Sequence, residues 1–149
     1  MEIETWLEAH STANSGPQGW AHPGGYELHS HPDCIEMIEP LLQGGTHAGF
    51  RCGYRVHESN GVVFAAVIGM IPLVLKLPAQ ARVAGPLSLD PWDELGEPWF
   101  CFDLRNEGHG RALYRLQKPD YWLGAEEEAH LRKLYASAAH AAAPDLPIP

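Results

Sequence analysis

Between Phe50 and Leu77 the hydrophobic pattern has period two and folds back on itself, and few architectures accept that. Phe50, Cys52, Tyr54 and Val56 alternate with Arg51, Gly53, Arg55 and His57, which predicts a half-buried strand. Ser59-Asn60-Gly61 follows. An Asn-Gly pair accepts positive φ at both centre positions of a tight turn, and the twist of such a turn matches the strands it joins. Val62 to Ile68 is apolar throughout, as a strand covered on both faces must be, and is expected to be central. A second turn over Gly69 to Pro72 leads to a third strand, Leu73 to Leu77. The segment is a β-meander.

The flanks read as helices. Ile3, Trp6, Leu7 and His10 recur at helical spacing behind first-turn acids that suit the positive end of the helix dipole. Ser11 to Gly25 is a long Gly/Ser/Pro-rich loop. A second helix is predicted from Ser30 or His31, with Pro32 tolerated in the first turn, an apolar face of Ile35, Ile38, Leu41 and Leu42, a kink at Pro40 and a stop at Gly44-Gly45. After the meander come a short helix (Pro78 to Ala84) and a loop (Leu87 to Glu97) anchored by Trp92. A fourth strand over Trp99 to Leu104 and a short fifth over Ala112 to Leu116 follow. The last helix, Ala125 to Ala142, repeats Leu131, Leu134, Tyr135 and Ala138 at i, i+3, i+4, i+7. The expected fold class is therefore α+β, an antiparallel meander of four to five strands packed against N-terminal and C-terminal helices. One domain spans 1–149: a helix and arm over 1–31, a core over 32–142, and a flexible tail over 143–149.

Charge narrows the partners. The chain of 149 residues carries a net −9, and its first fifty residues hold seven acids and no Lys or Arg. An acidic balance repels phosphate backbones, so nucleic acid is disfavoured overall. The acidic first third admits another reading, a protein that neutralises a basic partner. Three cysteines, Cys34, Cys52 and Cys101, form no CxxC and no even framework, which points to a reducing compartment. The acidic start lacks a signal peptide's basic region, and the longest apolar run, Gly61 to Leu75, is too short to span a membrane, so a cytoplasmic protein is expected.

Three groups of residues are candidates for chemistry. Arg51, Arg55 and Lys76 lie where one exposed face of the meander could present a basic stripe to an acidic partner or a nucleic acid. His22, His29, His31, Cys34 and Glu36 supply nitrogen, sulfur and oxygen donors suited to zinc or another divalent metal. Within them His29-x-His31 followed by Glu36 is similar to the first metal motif of cupins, but no second motif follows and the C-terminal third is helical. Cys34, close to a helix start and to His31, is the one candidate nucleophile. No GxSxG turn, P-loop or dinucleotide fingerprint is present.

The order of elements also resembles a known family. Phe50 and Tyr54, then Gly61-Val62-Val63-Phe64-Ala65, then Leu73-Val74-Leu75-Lys76-Leu77-Pro78, Trp99-Phe100 and the helix end Leu134-Tyr135-Ala136-Ser137-Ala138-Ala139 are similar to the small domain shared by TfoX N-terminal regions and the YjbR/MmcQ family. The resemblance covers roughly residues 32–142. Arg105 to Gly124 and residues 1–31 depart from the pattern. What it implies is a binding or regulatory domain rather than an enzyme, without a required cofactor, acting on a protein partner or small ligand through a sheet face or a sheet–helix groove. A monomer or small homo-oligomer, away from membranes, is expected.

Overall fold

A computed structural model describes residues 2–10, 29–42, 47–69, 71–102 and 124–143, and the backbone alone of 20–21 and 27–28. The expected fifth strand, the Gly44-Gly45 stop, residues 11–19 and 22–25 of the expected loop 11–25 and the tail 144–149 lie outside the described residues, and within that loop Trp20–Ala21 is a short strand. The elements, in chain order, begin with α1 (Ile3–Ala9), β1 (Trp20–Ala21), β2 (Glu27–Leu28) and α2 (Pro32–Leu42). The meander is β3 (Ala48–Arg51), β4 (Tyr54–Ser59), β5 (Val62–Ile68) and β6 (Ile71–Lys76). A 3₁₀ turn (Ala79–Ala81), β7 (Asp90–Pro91), β8 (Trp99–Phe102) and α3 (Ala125–Ala142) complete the chain. The six-stranded sheet is antiparallel with order β3-β4-β5-β6-β8-β7, and β1 pairs β2 separately. The fold is α+β, as expected, and an open sheet with packed helices is not a cupin barrel.

The predicted strand Phe50–His57 is in fact a hairpin. Its turn is Cys52-Gly53, with φ of 54° and 81°. The alternation of side chains runs through the turn unbroken, which hides it in the sequence; Gly53 is the residue that permits it. The Asn60-Gly61 turn is as expected, with φ of 52° and 79°. A Cβ added at Gly61 would meet nothing within 4 Å, so only backbone conformation penalises a side chain there. Gly61→Ala should therefore cost about 1 kcal/mol, read as a shift in urea midpoint.

Both faces of the sheet are covered. Ile3, Trp6 and Leu7 of α1 pack on Tyr54, Val56, Val63 and Ala66, with Trp92 and Trp99 closing that layer. On the other face α2 and α3 bury Ile38, Leu42, Leu131 and Leu134 against Phe64, Leu73 and Leu75. The loop around Trp92 is anchored as expected, and it adds the two-residue strand β7.

Two irregularities set which side chains meet the helices. In β5 the register against β4 slips between His57↔Ala65 and Glu58↔Val63, so Phe64 is an extra residue. Phe64 and Ala65 consequently share the face under α2 and α3, opposite His57. In β6 the register slips again around Pro72, which has no N–H to give the ladder.

Candidate functional site

A polar chain runs through the layer between the sheet and the helices. Arg55 and His57 of β4 alternate with Tyr54 and Val56, so they point away from α1 and under α2 and α3. Glu39 of α2 follows Ile38 on the helix side that meets them. Arg55 grips it bidentately, Nε at 2.5 Å from Oε2 and Nη2 at 2.9 Å from Oε1. A planar guanidinium matches a carboxylate in this way. The Arg55 guanidinium also lies over the Phe50 ring, Cζ 4.7 Å from its centroid.

His57 is fully buried. Its Nε2 stands 3.5 Å from Glu39 Oε2, an electrostatic contact too long for a strong hydrogen bond. Its Nδ1 lies 2.5 Å from the Tyr135 hydroxyl on α3. A carboxylate only accepts, so a ring proton belongs on Nε2, and Nδ1 shares its hydrogen bond with the Tyr135 hydroxyl. Burial by itself would raise the Glu39 carboxyl. The bidentate Arg55 and the nearby His57 ring outweigh it and hold the group at about 2, against an ordinary 4.5. Burial, reinforced by the Glu39 charge, pushes the Tyr135 phenol well above its usual range, so it stays a proton donor.

Tyr135 also borders a surface cavity of about 500 Å³. One wall is a stripe of α3 (Ala129, Arg132, Lys133, Ala136 and Ala139) beside the stripe that enters the core. Three of the five residues on that stripe are alanines. The other wall is Leu42, at the end of α2, and His47. His47 is fixed from below: its Nδ1 donates to the Glu58 carbonyl at 3.0 Å, while the Glu58 N–H donates to the His47 carbonyl at 2.9 Å. With Nδ1 committed to a carbonyl, Nε2 is the ring nitrogen left for other partners. The ring meets Tyr135 edge-on, 6.1 Å between centroids.

The residues expected to form a basic stripe are separated. Arg51 lies opposite Tyr54 and Lys76 opposite Trp99, on the α1 side of the sheet, whereas Arg55 lies opposite Phe50 on the helix side. Arg51 is paired with Glu58 at 2.6 Å. Arg55 is committed to Glu39, so the expected solvated face is a packed layer.

The described members of the candidate metal set also diverge; His22 lies outside the described residues. His29 is buried and stacks on Tyr54, with ring centroids 5.2 Å apart. The His31 side chain turns to the start of α2, where Nδ1 accepts the Asp33 N–H at 3.1 Å. Cys34 is fully buried in the core, which removes it as an accessible nucleophile, and Glu36 is exposed on the other side of α2. Among the described residues no three His, Cys, Asp or Glu side chains are grouped to hold a metal ion.

No helix among the described residues is long and apolar enough to cross a membrane. Compared with known protein families, curated proteins and solved structures, the chain matches none, so the functional reading rests on geometry.

Proposed function

We propose that the protein is a binding domain whose working surface is the sheet–helix groove between α3 and the His47 end of β3. The observation that carries this reading is the cavity of about 500 Å³, a size typical of small-molecule sites, whose lining combines polar side chains (His47, Arg132, Lys133, Tyr135) with Leu42 and three alanines. The polar chain behind it is a rigid support. Arg55, Glu39 and His57 fix the Tyr135 hydroxyl, and the β3–β4 ladder fixes His47. Sites held by a second layer of hydrogen bonds keep their geometry when a ligand arrives. The reading agrees with what the TfoX/YjbR resemblance implies, a binding or regulatory role through a groove.

The test is a fragment screen read by methyl NMR. Fragments should shift the methyl signals of Leu42, Ala129 and Ala139 together. Ala136→Phe, at an exposed helix position, should fill the groove and abolish those shifts while changing stability by less than about 0.5 kcal/mol. Fragments that bind Ala136→Phe as well as the parent chain would place the working surface elsewhere.

A further inference from the structure

The groove has the wrong sign for this chain. The protein carries a net −9, yet the lining of the groove contains Arg132 and Lys133 and no Asp or Glu. Among the described residues no carboxylate lies within ion-pair distance of Lys133, and the one acid beside Arg132 is Glu128, at a loose 3.8 Å with both side chains about a third exposed. An exposed i,i+4 pair of that length leaves the guanidinium available for a better-placed anion. Glu39, the carboxylate behind Tyr135, is paired bidentately with Arg55, which offsets its charge. A concave, low-dielectric surface concentrates the field of the cations that line it. The remaining lining is Leu42 and the three alanines, which accept an apolar body of limited size.

Resting on the groove reading above, the geometry points to its ligand class: a small organic anion, a carboxylate or phosphate ester on a compact apolar body. The anionic group lies against Arg132 and Lys133, and the apolar body lies on Leu42, Ala136 and Ala139. Arg132 supplies a planar fork for paired oxygens and Lys133 a point charge. His47 borders the same space and adds a polar group to the lining.

Benzoate, phenyl phosphate, benzyl alcohol and benzylamine share one ring and differ in charge, so titrating each by methyl NMR separates the charge from the body. Benzoate or phenyl phosphate should bind at least tenfold more tightly than benzyl alcohol, and benzylamine should be rejected. Which of the two anions is preferred tells a carboxylate ligand from a phosphate ester. In Arg132→Gln/Lys133→Gln the anions should weaken at least tenfold while benzyl alcohol is unchanged. If benzyl alcohol or benzylamine matches benzoate in the groove, the anion assignment is wrong and the groove reading survives. If none of the four moves the Leu42 and Ala139 methyls, and the fragment screen is also silent there, both readings fall.

Discussion

Arg55→Ala is expected to destabilise the protein by about 3 kcal/mol at neutral pH, because it strands the half-buried Glu39 carboxylate without its bidentate partner. The larger penalties of buried pairs are discounted here because Arg55 and Glu39 keep about a fifth of their side-chain surface. Lost packing of the guanidinium on Phe50 adds a smaller amount. Glu39→Gln should cost less, about 1–2 kcal/mol, since an amide oxygen still accepts from Arg55 and the guanidinium charge left behind keeps some solvent and the Phe50 ring face. A double-mutant cycle of the two should show a coupling of about 2 kcal/mol. Additive losses would mean that the ion pair does not connect α2 to the sheet.

The pH dependence gives the same interaction a second signature. In the folded chain Glu39 titrates at about 2 instead of 4.5. A depressed folded-state value means that the contribution is complete above the unfolded-state value and disappears as pH falls through the interval between them. The shift corresponds to roughly 3 kcal/mol, lost between about pH 5 and pH 2. Urea midpoints at pH 7, 4 and 2.5 should fall steeply in the parent chain and less so in Glu39→Gln. In Arg55→Ala the largest single influence on Glu39, burial, is left with only His57 to oppose it. Its part of the acid loss should vanish or reverse.

What the sequence made legible follows from the range of the interactions. The helices over 3–9, 32–42 and 125–142, the Asn60-Gly61 hairpin and the central position of Val62–Ile68 depend on neighbours within a few residues. Each carries its periodicity locally. The Cys52-Gly53 turn was hidden because alternation continues across it. The slips at Phe64 and Pro72 appear only once a strand has a partner to slip against. Glu39 left a trace: it lies four residues after Ile35 and three before Leu42, so a carboxylate interrupts an apolar helix side and needs a cation. Its partners at Arg55, His57 and Tyr135 are set by tertiary packing, which no spacing encodes. The histidines show the converse. His29 and His31 are close in sequence, yet one stacks on Tyr54 and the other turns to the start of α2. The alanines around Arg132-Lys133 read only as a small-residue side of a helix until the opposite wall, Leu42 and His47, is brought there by the fold.

Gly85→Ala should have an effect of similar size, and its sign should depend on another residue. A Cβ at Gly85 would stand 2.3 Å from His130 Cγ and 2.6 Å from Nδ1, well inside any real contact. The ring has little freedom to retreat. Its Nδ1 accepts the Leu87 N–H at 3.0 Å, and its Nε2 donates to the Val83 carbonyl at 2.7 Å. His130 is buried on α3 and clamps the 83–87 segment to the helix from both sides. Overpacking together with one broken hydrogen bond gives an expected cost of about 3 kcal/mol. His130→Ala should cost about 2–3 kcal/mol, for it orphans the Leu87 N–H and the Val83 carbonyl and leaves a hole. In that background the new methyl has the space that the ring occupied. Gly85→Ala should then be neutral or stabilising by up to about 1 kcal/mol, through the reduced freedom of the unfolded chain. A reversal measured by chemical denaturation of the two single variants and the double variant identifies the clash itself. An equal loss in both backgrounds would show that the 83–87 segment and α3 do not meet at this ring.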